Sequence, residues 1–346
     1  MPRMTRCGII PVLGNFFIRG RRRRAVLLRL CIIYIYIKLH CLWHATEFFL
    51  AGNGAICSHE NMSRTLMVVY LFAASFMCCA MIWYAVYYAE AQRNLAIHFF
   101  DVGQGDGIFF ELPNHVQVLI DGGPGSGILA KLGNVMPFWD HTIDLVVLTH
   151  PHVDHLDGLI DVLKRYDVGM VIESGVSYAT PDYDEWNRLL AQKNVHVVYA
   201  HAGQHVALSD IAALDILYPM KDLVGAKFSN VHDSMIVSKL SYGLSTVLFM
   251  GDAERLIEYR LMGVERSLVS DVLKVGHHGS KTSTTQGFLD MVSPRFAVIS
   301  VGRKNRYGHP HQEVVDRIQS LGITLFRTDI NGDVEFISDG TRIDPQ

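Results

Sequence analysis

At 346 residues the chain is long enough for one large domain or two small ones, each with a real core. Its formal net charge of −3 hides two unlike parts: residues 1–94 carry 11 Lys+Arg against 3 Asp+Glu, the remainder 20 against 31. An acidic C-terminal part is not what an obligate duplex binder looks like, because phosphates there would need a local basic cluster.

All six cysteines lie in the first 79 residues. The rest of the chain can use neither disulfides nor thiolate ligands, so a metal there must be held by His, Asp or Glu. Residues 1–64 are basic and apolar, but Arg29, Lys38 and Glu47 interrupt them before any spanning length is reached. An interfacial helix, a poor first span over 25–50, and an extension upstream of a start at Met62 instead of Met1 all fit this segment. Residues 65–89 hold 25 residues without a charge, above the ~20 that a membrane-spanning helix needs. Trp83, Tyr84, Tyr87 and Tyr88 lie near its end, where aromatic rings favour the membrane interface. Ala89-Glu90-Ala91 has the form of a signal-peptidase site. The run is longer than a secretory apolar core, so an uncleaved transmembrane anchor is expected. With one span, the basic side stays cytoplasmic and the following domain is extracytoplasmic; a second span over 25–50 would place it inside.

From Leu95 the pattern turns to strands. "LAIHFFDVG" and "GIFFELP" are short β-rich runs, and "HVQVLIDGG" follows a Pro113-Asn114 turn. "TIDLVVLTH", nearly all apolar, reads as a central strand buried on both faces. Leu156, Leu159, Ile160 and Leu163 then follow helical spacing. Strands interleaved with helices continue to the end, which indicates one layered α/β domain over 95–346.

"THPHVDHLDG" carries the chemistry. His150, His152, Asp154 and His155 lie where a buried strand ends and a helix begins. His150 and His152 can bind one metal, and Asp154 and His155 at the helix start can reach a second. Imidazole with carboxylate suits zinc, and also manganese or iron. Asp252 ends the strand "VLFMGD", where its carboxylate can bridge two metals about 3.5–4 Å apart. "LKVGHHGS" ends another strand with His277 and His278.

H-x-H-x-D-H, a strand-end Gly-Asp and a late strand-end His resemble the metallo-β-lactamase superfamily. "FFDVGQGDG", "VLIDGG", "LKVGHHGS" and "SVGRKNRYGHP" together resemble the hydrolase domain of ComEC-type DNA-uptake proteins. The resemblance implies an αββα sandwich, here preceded by the transmembrane helix. It implies that His150 and His152 hold metal one, Asp154 and His155 hold metal two, Asp252 bridges, and His278 is the late ligand. Asp121 and Asp106 would stand behind the ligands and orient them. His277 would face substrate as phosphate contact or proton donor. With Asp154, Asn230 and His309 it makes up the catalytic set on this reading. The superfamily usually has a further histidine four residues ahead of a serine; here Asn230 precedes Ser234, which leaves metal one to be completed by His232 or water. Asp157 replaces the usual glycine and reads as a solvated helix residue. Arg303, Lys304, Arg306, His309 and His311 form a basic loop that would bind phosphate on the substrate side.

The function these readings imply is a membrane-anchored hydrolase with two divalent metals, zinc first, acting on a phosphodiester such as single-stranded DNA or a phosphorylated envelope component. The metals would acidify a bridging water and stabilise charge on phosphate oxygens. Hydrolysis of a lactone, lactam or thioester on the same fold is the alternative. A non-catalytic subunit of a DNA-uptake machine is the alternative from another class. No obligate protein partner is evident in the sequence.

Overall fold

The computed structural model describes residues 10–12, 15–18, 59–91, 94–264 and 267–346. A second span over 25–50 lies outside these residues. The chain divides into two compact units, residues 21–93 and residues 1–20 together with 94–346.

The larger unit starts with two three-residue strands, β1 (Ile10–Val12) and β2 (Asn15–Phe17). The smaller unit contains α1 (His59–Ala91), a 33-residue helix that includes the uncharged run 65–89. Among the described residues no helix is long and apolar enough to cross a membrane. The side chains described in α1, those of residues 67 and 69–84, are all exposed.

The larger unit continues with β3 (Leu95–Phe99), β4 (Ile108–Glu111), β5 (Gln117–Ile120), α2 (Gly127–Val135), β6 (Thr142–Leu148), α3 (Val153–Arg165), β7 (Asp167–Glu173), α4 (Pro181–Lys193) and β8 (His196–Tyr199). β9 (His205–Ala207), β10 (Ala212–Tyr218), β11 (Val237–Tyr242) and β12 (Ser245–Phe249) then run antiparallel to one another. After them come α5 (Arg255–Met262), β13 (Val272–Lys274), α6 (Gln286–Val292), β14 (Phe296–Ile299), α7 (Gln312–Ser320), β15 (Thr324–Arg327), β16 (Val334–Ser338) and β17 (Ile343–Pro345). One sheet has the order β17-β16-β3-β4-β5-β6-β7-β8, the other β1-β2-β9-β10-β11-β12-β13-β14-β15. β1 and β2, read from the sequence with a separate N-terminal segment, thus extend this sheet, β2 pairing with β9 and β1 with β2. Three residues are too few to show the period-two alternation that reveals a strand.

Side chains alternate across each strand, and this sorts them into layers. Ile97, Phe99, Ile108, Phe110, Val118 and Ile120 point from the first sheet into a core shared with Leu214, Ile216, Leu240, Val247 and Phe249 of the second. Phe110 stacks on Phe249, with centroids 6.1 Å apart and planes 2° from parallel. Their neighbours Phe109, Leu119 and Val146 face outward with residues of α2, α3 and α4. Leu248, Leu273 and Ala297 do the same with α5, α6 and α7. The result is the expected mixed α/β arrangement of two facing sheets with helices outside. β6 is buried along all but its first residue, and Leu156, Leu159, Ile160 and Leu163 are buried on α3 as their spacing predicts.

α4 shows how local chemistry fixes an element. Pro181 opens it, the Thr180 hydroxyl accepts from Tyr183 N–H at 3.3 Å, and Asn194 closes it in the left-handed region at φ 50°. Its Trp186 is fully buried and donates from Nε1 to Glu173 Oε2 at 2.8 Å. Burial pushes the Glu173 carboxyl above its ordinary 4.5, and the Trp186 bond only partly offsets this. The folded chain therefore holds this proton more tightly than the unfolded chain. The resulting stability is present below pH 4.5 and is lost as pH rises through the raised value. Glu173→Gln keeps an acceptor for Trp186. It should melt above the parent at about pH 7.5 and together with it at about pH 4; equal shifts at both pH values in a thermal scan would refute this.

Candidate metal centre

The carboxyl ends of β5, β6, β12 and β13 meet at one end of the sandwich, and the site is built there from both sheets. Beyond β6, Thr149 and His150 continue the strand direction, and His152 caps α3 in extended conformation (φ −75°, ψ 151°). Asp154 and His155 follow in the first turn, so four side chains leave a single strand–helix junction. The loop before β4 crosses this turn closely. A Cβ at Gly105 would overlap the Asp154 carbonyl oxygen, and the backbone there has φ +133°, a position only glycine fills easily.

Of the overlapping donor clusters that result, two contain all the predicted ligands. His150, His152 and His232 form one and Asp154, His155, Asp252 and His278 the other, and within each the donor atoms lie within 4.8 Å of one another. Asp252 faces both. Its Oδ2 is 3.4 Å from His155 Nε2 and 3.9 Å from both His150 Nε2 and His232 Nδ1, while Oδ1 is 3.2 Å from His278 Nε2. His150 Nε2, His155 Nε2, His278 Nε2, His232 Nδ1 and Asp252 Oδ1 are all buried without a hydrogen-bond partner. Buried polar atoms are normally satisfied. Four orphaned nitrogens converging on one carboxylate form a donor set for cations, and its nitrogen-and-oxygen composition suits zinc, manganese or iron.

Buried groups behind the donors fix which atoms face inward. Asp121, at φ 58°, accepts from Thr149 N–H at 2.8 Å, from the Thr149 hydroxyl at 2.6 Å and from His155 Nδ1 at 2.7 Å. His278 Nδ1 donates to Ser300 O at 2.8 Å. Both bonds leave Nε2 as the inward atom. Asp106 sits behind His278, with Oδ1 3.5 Å from its Nδ1, and Oδ2 is paired with the wholly buried Lys274 at 2.7 Å. Asp121→Asn should weaken metal affinity about 10–100-fold by releasing the His155 ring, read by titration against a chelator; unchanged affinity would show that Asp121 does not orient His155.

The donor charges are unevenly distributed. Burial lowers His155, but Asp252, Asp121 and Asp154 outweigh it and raise this imidazole well above 6.5. Burial is likewise outweighed at His278 by Asp252 and Asp154, which raise it to about 10. Burial would raise Asp154, yet His155 and His278 hold it near 2. On the other side, burial lowers His232 to about 4 and His150 well below its ordinary value. One cluster is thus neutral imidazole, and the other pairs carboxylates with cations.

The remaining candidates fall around the rim. Asn230 is not aimed at the donors. Its Oδ1 accepts from His232 N–H at 3.3 Å as the cap of a 3-10 turn, Val231–Ser234, and its Nδ2 is 3.5 Å from Glu254 Oε2. His232 stands where the sequence left a choice between it and water, its ring centroid 5.2 Å from His150 and 4.7 Å from His152. His277 Nδ1 lies 3.2 Å from Glu254 Oε1, which also accepts from the Thr282 hydroxyl at 2.7 Å. The His309 ring is 5.5 Å from His277 and 6.5 Å from His278. Asn305 holds the His309 backbone through both N–H and C=O, at 3.0 and 2.7 Å. Arg303, Lys304, Arg306 and Tyr307 are exposed on this loop, and His311 is 5.1 Å from His309 between ring centroids. Asp157 is half-buried and accepts from Gly125 N–H at 2.8 Å. The expectation of a solvated residue is therefore corrected: Asp157 ties down the loop that follows Asp121.

Sequence reasoning missed Glu254, Thr282 and Lys274. Glu254 stands two residues beyond Asp252 in "GDAE", a signal that was available. A lysine inside a strand reads as exposed, so Lys274 gave none.

The family model of the metallo-beta-lactamase superfamily matches residues 117–303. The chain belongs to this superfamily. The superfamily's fold is that of metal-binding hydrolases, which agrees with the donor clusters. ComE operon protein 3 of Bacillus subtilis is 28% identical over 75% of this chain and 35% of its own length. Competence protein ComA of Neisseria gonorrhoeae is 29% identical over 72% and 33%. The resemblance to ComEC-type competence proteins read from the motifs is thus borne out, and the chain spans about a third of the length of these curated relatives. Among solved structures, the metallo-beta-lactamase fold protein YhfI of Bacillus subtilis is similar at a TM-score of 0.47 and 12% identity, covering 70% of this chain and all of YhfI.

Proposed function

We propose that the chain is a membrane-anchored phosphodiesterase that uses two divalent metals. The observation that carries this reading is the position of the Asp252 carboxylate, within 3.9 Å of His150 and His232 on one side and of His155 and His278 on the other. His150, His152 and His232 would hold one ion; Asp154, His155 and His278 the second, with Asp252 shared. Bound there, zinc or manganese would supply an acidified water and positive charge for the phosphoryl oxygens.

The protein's own residues do the rest. Glu254 orients His277, which can give a proton to the leaving alkoxide. Arg303, Lys304 and Arg306 offer phosphate contacts, and Tyr307 offers an aromatic face to a base. A strand that is single and flexible fits this reading better than a duplex, since the domain's overall charge is negative. The names of the relatives as competence proteins also favour DNA. Anchoring rests on the uncharged run 65–89 inside α1, with the basic N-terminal side cytoplasmic.

The test uses the full chain in detergent micelles, loaded with Zn²⁺ or Mn²⁺ and offered single-stranded DNA, bis(p-nitrophenyl) phosphate and a chromogenic β-lactam. Metal-dependent cleavage of the phosphodiesters is expected. Turnover of the lactam alone would replace this reading with the amide-hydrolysing alternative. A chain that binds two metals but cleaves none would fit a non-catalytic subunit.

A further inference from the structure

The end of the sandwich opposite the metal ligands carries an unexplained set of apolar tips. Phe138 and Trp139, in the loop before β6, are 84% and 67% exposed and meet edge to face at 4.7 Å. Leu244, in the turn between β11 and β12, is 78% exposed. These are the three most exposed large apolar side chains described in the larger unit. Ile211, 58% exposed, lies beside Leu244, since Gly243 N–H donates to its carbonyl at 2.8 Å.

The larger unit's chain resumes at this same end. Leu95, the first residue of β3, pairs with Ser338; the Ser338 hydroxyl donates to Ser245, next to Leu244, at 2.7 Å. Because β2 runs parallel to β9, Ile18 also arrives here and donates to Ala207 O at 2.8 Å. In sequence, the uncharged helix ends at Ala91, four residues before Leu95. The tips do not form one patch. β3 and β6 are three strand spacings apart, about 14 Å. A protein groove needs a contiguous apolar surface, whereas a lipid surface takes separated tips at one level, and Trp beside Phe is the side-chain chemistry of that level. Exposed Lys193 lies near the aromatic loop, where it can meet lipid phosphates. Tyr166 packs 6.2 Å from His141 and accepts from Lys193 Nζ at 3.2 Å.

We infer that this end of the domain rests on the bilayer, with Phe138, Trp139, Ile211 and Leu244 at the headgroup level and the metal-ligand end turned away from the lipid. The inference deepens the membrane-anchored reading and rests on it. The surface is a glycerophospholipid one, and the device is a foot that sets the height and tilt of the site.

The experiment reconstitutes the full chain into phosphatidylcholine–phosphatidylglycerol vesicles, plain or brominated on the upper acyl chains. The chain has 4 tryptophans, so Trp139 emission is isolated as the difference between the parent and Trp139→Phe. Vesicle flotation is scored first. Flotation together with loss of more than half of the Trp139 emission on brominated lipid is the expected result. Flotation with Trp139 unquenched by lipid but quenched by aqueous iodide would overturn the inference while leaving the anchor intact. Protection from both quenchers would assign the tips to a protein contact and overturn it as well. Failure to float would remove the anchor reading, and the inference with it.

Discussion

Asp252→Ala should abolish metal-dependent hydrolysis, lowering kcat at least about a thousandfold, roughly 4 kcal/mol of transition-state stabilisation. Asp252 is buried, and both of its oxygens point at imidazole nitrogens that make no hydrogen bond. It is the residue through which the two donor clusters meet. It is also the largest attraction that overcomes burial at His155 and at His278, so its loss disturbs the charge of both. The variant should therefore lose bound metal as well as turnover, and elemental analysis per chain reads this directly. Asp252→Asn serves as the companion, since it keeps the shape and one acceptor while removing the charge. It should retain the fold by circular dichroism and still fall below a hundredth of parental kcat. Parental turnover with two ions per chain in either variant would sink the assignment.

His232→Ala is expected to act on one cluster only. The residue completes a triad with His150 and His152, and burial keeps its imidazole neutral, with a pKa of about 4, so a lone pair is available at physiological pH. Removing it should cost one of two bound ions and lower kcat about 100-fold, while the Asp154–His155–His278 cluster keeps its ion. Asn230→Ala should be milder. It removes a cap whose loss costs about 0.5–2 kcal/mol locally, loosening His232 without deleting the ligand. A roughly tenfold loss with both ions retained is the expected outcome. If Asn230→Ala proves more damaging than His232→Ala, the roles given to the two residues are reversed.

The difference between these neighbours also shows where sequence reasoning reaches its limit. His150, His152, Asp154 and His155 were legible because they are adjacent along the chain and a long apolar strand, β6, announces where they sit. Asp252 and His278 were legible because each ends a recognisable strand. His232 lies in a four-residue 3-10 turn, which has no periodicity to read, and its direction depends on a cap made by Asn230. Glu254 and Lys274 act through partners 20 or more residues away, Thr282 and Asp106, and such pairings exist only once the sheets have formed. The layers of the sandwich were legible from alternation. The docking of β2 onto β9 was not, since backbone pairing alone carries it.

The stacked rings of Phe110 and Phe249 have a consequence beyond packing. His150, His152, Asp154 and His155 hang from one sheet, Asp252 from the other, and Phe249 lies three residues before Asp252 on β12. The pair works as a shim between two jaws: its thickness sets how far apart the donors are held. Metal sites accept errors of only about 0.2 Å in ligand distance, and close-packed interiors pass strain on instead of absorbing it. Thinning the shim by Phe110→Leu should therefore retune which ion radius the jaws grip before it unfolds the domain.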